Sequence, residues 1–450
     1  MLNTQEVKFK ILEKNLNGGN NKLFREELLV LHPYEQAMFF IKQPEEGRRE
    51  LYKILFPGEV SNIMEHIDLE DIEPYFAEMD PRFASAILEN MATDDAVDIL
   101  KLLDKEKLAS FLTIMDKTEA EEIKQLLDYE EKTAGSIMTT EFVAIYHRDT
   151  VKQTLQQLKH EAPGAETIYY LYVIDEDKHL VGVVSLRDLI IANDEAIVGD
   201  IMGKSVVYVS AAKDQEVVAY MFRDYDFLAL PVVDFQKHLL GIITVDDILD
   251  VMDEEANEDY SKLAAVGDQE RLEDSPFKSA KKRLPWLIIL LFLGMMTASL
   301  IGMFEETIEK VAILAIFIPV IAGMSGNTGT QALAVAVRGL ATGDYGKGSK
   351  LKLMLKEAGT GLITGSVCGL LIFIVIFLWK GNFFLGLLVG FAILVTLTIA
   401  TLTGSLIPIL MDKMKIDPAV ASGPFITTIN DLISVSIYFG LATTFMKYLI

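Results

Sequence analysis

Five long apolar stretches in the C-terminal part of the chain constrain its fold more than any other feature. They run approximately over residues 284–304, 311–337, 353–379, 383–411 and 419–446. Each stretch is long enough to cross a bilayer, which needs roughly 20 residues. Backbone groups must pair internally in lipid, so such stretches fold as helices. The sequence therefore predicts a membrane domain of five helices, preceded by a large polar region.

Basic residues are distributed unevenly between the two ends of these stretches. The side with few of them carries only Lys310, Lys380 and Lys447. The other side is rich in them, and its members are Lys281, Lys282, Arg283, Arg338, Lys347, Lys350, Lys352, Lys356, Lys413 and Lys415. Because cytoplasmic loops carry the excess of Lys and Arg, we expect the N-terminal region in the cytoplasm and the C-terminus outside the cell membrane.

The charge of the chain belongs almost entirely to the polar region. The 450 residues carry a net charge of −24, and nearly all of the 65 acidic side chains precede residue 281. Such a surface repels phosphates, so nucleic acid is not expected as a partner. Cations are the natural partner of a strongly acidic surface. The single cysteine, Cys368, excludes an intrachain disulfide.

The first 130 residues show a repeat near period twelve that is typical of short stacked helices. Apolar residues that end a helix are followed by Asp or Thr residues able to cap the next one, as in Met79-Asp80, Leu103-Asp104 and Met115-Asp116. This pattern predicts an all-α superhelical domain whose hand remains open. Within it, Asp94 and Asp98 are four residues apart and share a helix face. They are either a metal-binding pair or a solvated pair.

From residue 131 the pattern changes to two copies of strand, turn, strand and helix, about 59 residues apart. The copies are Thr167–Ile190 and Phe227–Leu249, and each second strand ends in Gly-x-x-Ser/Thr-x-x-Asp. This spacing places a hydroxyl at a helix start and a carboxylate in its first turn, an arrangement that either caps the helix or holds a ribose. Residues 138–252 resemble a tandem pair of cystathionine-β-synthase (CBS) domains. The resemblance implies an adenine nucleotide (ATP) cleft lined by Tyr170, Asp188, Phe227 and Asp246, with capping and core packing as the alternative.

A strongly acidic segment joins the polar region to the membrane domain. Eight acidic residues and no Lys or Arg lie between Asp246 and Asp259. Those at spacings of three and four form one helix stripe, which destabilises its own helix unless something neutralises it. A solvated face is the simple interpretation. The alternative is a switch, in which divalent cations bridge the stripe to other acidic groups and repulsion separates them otherwise.

Asp431 is the one charged residue inside the last apolar stretch, where no basic residue stands near it. A carboxylate at membrane depth needs a partner, a water-filled cavity or an ion. The alternative is a protonated Asp hydrogen-bonded to a neighbouring helix. We favour a mobile cation as its partner.

Neutral oxygen-bearing side chains accompany this carboxylate. Gly-Asn-Thr-Gly-Thr-Gln (residues 326–331) interrupts the second stretch, and glycine, proline, threonine and asparagine open the fifth. One carboxylate with neutral oxygens suits Mg²⁺, which keeps several of its waters. Close helix packing through small residues is the alternative. The candidate pore-lining residues are Asn327, Thr328, Gly423, Thr427 and Asn430.

Taken together, these segments resemble the MgtE family of magnesium channels and transporters over essentially the whole chain. The segments Gly-Asn-Thr-Gly-Thr-Gln and Asp-Pro-Ala…Ser-Gly-Pro-Phe-Ile-Thr-Thr…Asn-Asp carry the resemblance most specifically. It implies a homodimer with an axial pore, Asp431 as the residue that binds hydrated Mg²⁺, and cytosolic Mg²⁺ sites that close the pore. The implied cytosolic ligands are Asp94, Asp98, Asp214, Glu216, Asp226, Asp247, Asp250, Glu255, Glu258, Asp259 and Asp417. Where the family can place a further acidic ligand, this chain has Asn62, with Glu59 nearby.

The expected protein is a multidomain membrane protein and not an enzyme. Its parts are an all-α superhelical N domain (1–130), an α/β CBS pair (131–252), a connecting acidic helix (253–283) and a five-helix transmembrane domain (284–450). The expected function is Mg²⁺ transport through a channel closed by intracellular Mg²⁺, with Mg²⁺ and ATP as ligands and membrane lipid around the helices. A broader divalent-cation carrier and a nucleotide sensor without transport are the alternatives. An intramembrane aspartyl protease lacks its second Asp, and a nucleotide-driven pump lacks its phosphate-binding loop.

Overall fold

The computed structural model describes residues 2–267, 274–341 and 349–449. Two sequence-based expectations fall partly outside it: Lys347 and residues 268–273 of the connecting segment lie outside the described residues. The chain divides into two compact units, Met1–Met252 and Asp253–Ile450.

The first unit begins with ten consecutive helices, as the period-twelve repeat predicts. They are α1 (Leu2–Asn17), α2 (Asn21–Leu29), α3 (Pro33–Lys42), α4 (Glu45–Ile54), α5 (Pro57–Met64), α6 (Leu69–Glu78), α7 (Pro81–Leu88), α8 (Thr93–Leu102), α9 (Lys105–Ile114) and α10 (Lys117–Leu127). From α3 onward most helices pack against the next but one, which gives two layers of helices. The predicted caps form at Asp80, Asp104 and Asp116, whose side chains accept backbone N–H bonds. Asp68 precedes α6 without such a bond.

Two small sheets follow, each with three strands. The elements are β1 (Phe142–Tyr146), α11 (Val151–Glu161), β2 (Thr167–Ile174), β3 (Leu180–Ser185), α12 (Leu186–Ile191), α13 (Val198–Ile201), β4 (Val209–Ser210), α14 (Gln215–Tyr225), β5 (Ala229–Val233), β6 (Leu239–Thr244) and α15 (Val245–Leu263). In each sheet the first strand pairs parallel to the second, and the second pairs antiparallel to the third. This confirms the two predicted strand–turn–strand–helix copies.

The two copies differ in what they pack against. The first copy has its own core around Val143, Leu171 and Leu189. The second shares one continuous apolar core with the N-terminal helices, in which Ile243 and Ile248 join Val97 and Leu100. This shared core holds α8 and the start of α15 in the same unit, and so positions the acidic residues of both.

The second unit contains the membrane helices. They are α16 (Pro276–Gly302), α17 (Glu305–Lys310), α18 (Ile318–Ala341), α19 (Ser349–Lys380), α20 (Phe383–Lys413) and α21 (Gly423–Thr444). Five segments are long and apolar enough to cross a membrane: Pro276–Gly302, Ala312–Leu340, Lys350–Lys380, Phe383–Lys413 and Gly423–Thr444. They coincide with the five predicted stretches. The core of this unit lies mainly between α20, α21 and the segment before α18.

Candidate ion sites in the membrane and cytosolic units

Helix α21 carries Asp431 about two turns after it begins at Gly423. Pro424 lies in its first turn, where no backbone N–H is needed. Asp431 Oδ1 is buried and has no hydrogen-bond partner among the described residues. The neighbouring Asn430 is fully buried, and both polar atoms of its amide also lack a partner in the described part of the chain. The Asp431 carboxylate and the Asn430 amide are therefore adjacent, and both contain polar atoms without hydrogen-bond partners among the described residues.

Glycines on α18 allow α21 to approach closely at this level. A Cβ atom at Gly326 would lie 2.7 Å from Thr427 Cγ2, and one at Gly329 would overlap the amide nitrogen of Asn430. Ser325 Oγ donates a hydrogen bond of 3.4 Å to the carbonyl of Asn430. The small residues of the Gly-Asn-Thr-Gly-Thr-Gln segment thus hold the backbone of Asn430 and Asp431 against α18.

The five candidate pore-lining residues do not lie together within one chain. Thr427 and Asn430 face the glycines of α18, whereas Asn327 and Thr328 line a separate cavity of about 510 Å³ between α18, α19 and α20. Gly423 lies at the start of α21, near the carbonyl of Leu263. Single-sequence reasoning could not separate these groups, because it does not show which face of α18 meets which neighbour.

An ion pair that the sequence analysis missed links the end of α15 to the segment before α21. Lys262 Nζ lies 2.6 Å from Asp417 Oδ2 and 2.5 Å from Glu258 Oε1. Burial opposes the charge of this lysine, but the hydrogen bonds that it donates to Asp417 and Glu258 outweigh burial and raise the pKa of Lys262. Two predicted Mg²⁺ ligands therefore share one protein cation here.

A cluster of carboxylates lies where α8 meets the start of α15. Burial raises the pKa of Asp94 well above its usual range, and the charges of Asp247 and Asp95 raise it further. Burial and the charges of Glu65 and Asp247 raise the pKa of Asp95 to about 8. Asp247 has its pKa raised to about 6 by burial, although it accepts a hydrogen bond from the hydroxyl of Thr244. Three carboxyl groups are thus close to one another in a buried setting, where solvent screens their repulsion little.

Further acidic residues that the sequence analysis missed extend this cluster. Burial and the nearby charge of Glu166 raise the pKa of Glu141 to about 7. Asp95 itself is also a member that the pattern did not reveal, although its adjacency to Asp94 in the first turn of α8 was a signal. Asp94 Oδ1 is buried without a hydrogen-bond partner among the described residues. This unmet oxygen fits a site whose missing partner is a cation.

Asp94 and Asp98, the proposed metal-binding pair, differ in their partners. Lys101 Nζ lies 2.9 Å from Asp98 Oδ1, so Asp98 has a protein cation as its partner. Glu59, the acid near Asn62, is held by two side-chain nitrogens of Arg25 and by the backbone N–H of Phe56. Glu65, three residues after Asn62, is the acid of this region whose charge acts on Asp95.

The acidic residues of α14 lie at its opposite ends. Asp214 caps the N-terminus by accepting from the N–H groups of Glu216 and Val217, and the Glu216 carboxylate accepts from the Tyr220 hydroxyl at 2.6 Å. Asp226 ends the helix with a left-handed backbone (φ 54°). A helix rises 1.5 Å per residue, so Asp214 and Asp226 are roughly 18 Å apart. One ion cannot bind both within one chain.

The remaining predicted ligands lie along α15. Asp250, Glu255 and Asp259 all belong to this helix. Within residues 2–267, 274–341 and 349–449, no three or more His, Cys, Asp or Glu side chains converge closely enough to hold one metal ion. The described carboxylates of one chain therefore do not form a complete cage for an ion.

The candidate nucleotide residues come from both CBS copies, Tyr170 and Asp188 from the first and Phe227 and Asp246 from the second. Ser185 caps α12 and donates to Asp188 Oδ2 at 2.6 Å, as the motif predicts. Tyr170 lies on β2 opposite Ser185, and Phe227 stacks on Tyr225 with ring centroids 5.2 Å apart. Asp246 is exposed in the first turn of α15. Ser185 thus caps the helix and Asp188 accepts the hydrogen of its hydroxyl. The nucleotide role of Asp188 stays a prediction.

Comparison with known proteins agrees with this architecture. Family models match three regions: the MgtE intracellular N domain over residues 31–132, CBS domains over 134–195 and 198–254, and a divalent cation transporter over 318–441. The chain is 52% identical over 447 residues to the magnesium transporter MgtE of Enterococcus faecalis, a match that covers 99% of this chain and 98% of that protein.

Two solved structures resemble the first unit. The soluble part of a magnesium transporter is 48% identical with a TM-score of 0.55, over 56% of this chain and 99% of that one. The cytosolic domain of the Mg²⁺ channel MgtE, in complex with ATP, is 38% identical with a TM-score of 0.51, over 53% of this chain and 98% of that one. With its helical N domain, CBS pair and five apolar helices, this chain belongs to the MgtE family of magnesium transporters.

Proposed function

We propose that this chain forms a passive Mg²⁺-selective channel in the cell membrane, and that cytosolic Mg²⁺ closes it. The observation that carries the proposal is the buried Asp431 carboxylate, which has an oxygen without a protein partner beside the equally unpartnered amide of Asn430. A carboxylate in a membrane helix is costly unless an ion or water meets it. A permeating cation with its waters supplies both.

The donor set at this site favours Mg²⁺. One carboxylate accompanied by amide and hydroxyl oxygens suits an ion that keeps several waters, whereas a Ca²⁺ cage needs more carboxylates. Soft metals would require sulfur or imidazole, and residues 284–450 contain no His and one Cys. We propose that Asn327, Thr328, Gly423, Thr427 and Asn430 contact the hydration shell of the ion along its path.

The electrostatics of the first unit supports closure by Mg²⁺. Asp94, Asp95 and Asp247 repel one another in a buried setting, and a divalent cation removes that repulsion. We propose regulatory Mg²⁺ sites built from the cytosolic acids Asp94, Asp98, Asp214, Glu216, Asp226, Asp247, Asp250, Glu255, Glu258, Asp259 and Asp417. Because no cage is complete among the described residues of one chain, we propose that a homodimer or a rearrangement completes them.

The topology and domain boundaries complete the proposal. Residues 1–130, 131–252 and 253–283 form the N domain, the CBS pair and the connecting helix on the cytoplasmic side, and residues 284–450 form the pore with the C-terminus outside. The ATP complex of a relative's cytosolic domain supports nucleotide binding at Tyr170, Asp188, Phe227 and Asp246, where ATP would act as a regulator.

Uptake of Mg²⁺ into liposomes that contain the purified chain tests the proposal. We expect Asp431→Asn to abolish uptake, because the amide keeps the shape but loses the charge. Glu305→Gln, at an exposed acid of the same unit, is the matched control and should transport normally. Undiminished uptake by Asp431→Asn would overturn the pore assignment. Competition by Mn²⁺, Co²⁺ and Ca²⁺ in the same assay separates a Mg²⁺ channel from a broader divalent carrier.

A further inference from the structure

The cavity between α18, α19 and α20 holds a second carboxylate within the membrane unit. It has a volume of about 510 Å³, and its lining includes Glu357 together with Asn327 and Gln331. None of its lining residues comes from α21, the helix of Asp431. The glycines of the Gly-Asn-Thr-Gly-Thr-Gln segment face α21, while its amide side chains at positions 327 and 331 line this cavity. The Gly-Asn-Thr-Gly-Thr-Gln segment therefore contacts α21 with its glycines and lines the cavity with its amides.

Glu357 is buried, and the nearby charge of Lys356 acts on it without a direct bond. Its residue surface is only 5% exposed. It forms no hydrogen bond or ion pair with any residue in the described part of the chain. Lys356 also lines the cavity but is exposed, and no ion pair joins it to Glu357. A buried charge without a partner is costly, so a ligand that meets the carboxylate would be bound favourably.

Three threonine hydroxyls of the cavity present acceptors. Thr360 Oγ1 donates to the carbonyl of Lys356 at 3.0 Å, Thr364 Oγ1 to that of Thr360 at 2.9 Å, and Thr401 Oγ1 to that of Thr398 at 3.0 Å. A hydroxyl has one hydrogen and two lone pairs. Because each hydrogen is used within its own helix, only oxygen lone pairs remain for the cavity.

We propose that this cavity binds a divalent cation, with Glu357 as its charged ligand and the threonine and amide oxygens holding its waters. The volume admits an ion with part of its hydration shell, and acceptor-rich surroundings are what a hydrated cation requires. The inference rests on the proposed function only in taking Mg²⁺ as the ion. It adds an intramembrane site separate from Asp431.

Cys368 provides a built-in probe, because it lines the same cavity and is the only cysteine of the chain. The rate of its modification by N-ethylmaleimide can be followed by mass spectrometry on the full chain in nanodiscs. We expect Mg²⁺ to slow this modification at least threefold in the wild type. We expect Glu357→Gln to abolish the slowing and Glu357→Asp, which keeps the charge, to retain part of it.

Three further variants separate this site from its alternatives. Protection should persist in Asp431→Asn, whose own defect is in uptake, so the two proposals can fail independently. Protection should also persist in Asp247→Asn. This variant weakens the proposed gate, so protection that remains in it cannot be caused by closure of the pore. Glu305→Gln, which removes an exposed acid of the same unit, is the control and should keep the protection. Equal protection in Glu357→Gln and wild type, or no protection in the wild type, would overturn the inference.

Discussion

Lys262 and Asp417, 155 residues apart in sequence, form an ion pair with 2.6 Å between Nζ and Oδ2. Glu258, one turn before Lys262 on α15, bonds the same ammonium group at 2.5 Å. The three side chains are partly exposed, so the pair is screened by solvent and contributes modestly to stability. Its importance is positional, because it joins the end of α15 to the segment that enters α21.

Under the proposed gating, removal of this lysine should make Mg²⁺ transport more sensitive to cytosolic Mg²⁺. Lys262→Met removes the ammonium group that lies between Glu258 and Asp417, and we expect a divalent ion to take its place. We expect the half-inhibiting Mg²⁺ concentration to fall about threefold to fivefold, or ~1 kcal/mol. Inhibition of liposome uptake as a function of Mg²⁺ measures this.

The matched control for this change is Lys310→Met. Lys310 pairs with Glu306 at the same spacing of four residues, and both side chains are exposed. It should leave the inhibition curve unchanged. A shift of the same size in both variants would mean that surface charge alone, and not the link to Asp417, sets the sensitivity.

The stability of the first unit should fall as pH rises when divalent cations are absent. The pKa is raised to about 8 at Asp95 and to about 6 at Asp247, mainly by burial. Since an unfolded carboxyl titrates near pH 4, the folded state binds more protons between pH 4 and 8, and ionisation across this interval costs stability. Circular dichroism melting of the full chain in EDTA should show the first transition at a lower temperature at pH 8 than at pH 5.

Mg²⁺ should reduce this pH dependence, because a bound cation stabilises the ionised carboxylates. Binding should also release protons near pH 7, which a pH indicator in weak buffer can detect. A first transition that is independent of pH in EDTA would contradict the cluster described here.

Neutralising one member of the cluster should stabilise the protein without Mg²⁺. We expect Asp95→Asn to raise the free energy of unfolding at pH 8 by ~1–2 kcal/mol, since it removes a buried charge that repels Asp94 and Asp247. Asp98→Asn is the control on the same helix. Burial raises the pKa of Asp98 as well, but the charge of Lys101 opposes that shift, so its substitution should raise stability less than that of Asp95. If both variants raise the melting temperature equally, the destabilising repulsion is not concentrated at Asp95.

The contact between α18 and α21 should tolerate no added side chain at Gly329. A Cβ there overlaps the Asn430 amide, so we expect Gly329→Ala to cost about 1–3 kcal/mol, as overpacking does, and to impair uptake. Gly323→Ala is the control, because it lies on α18 with no atom within 4 Å of an added Cβ. Melting followed by the two tryptophans, Trp286 and Trp379, both in the membrane unit, measures the difference.

Local features of this protein could be read from its sequence. The five membrane helices follow from the length of apolar runs, and the caps at Asp80, Asp104 and Asp116 follow from residues adjacent to each helix start. The Ser185–Asp188 bond spans three residues. Such features depend on backbone hydrogen bonding and polarity over a few positions, which the order of residues determines directly.

Only the tertiary structure decided which acidic residues have partners and which do not. Asp94 and Asp98 look equivalent in sequence, yet one is buried near Asp247 and the other is paired with Lys101. Glu357 lies in an apolar stretch without any distinguishing pattern, and its cavity forms only because three helices meet there. Burial and long-range charge depend on how separate cores pack, and that packing is a property of the whole chain and not of neighbouring residues.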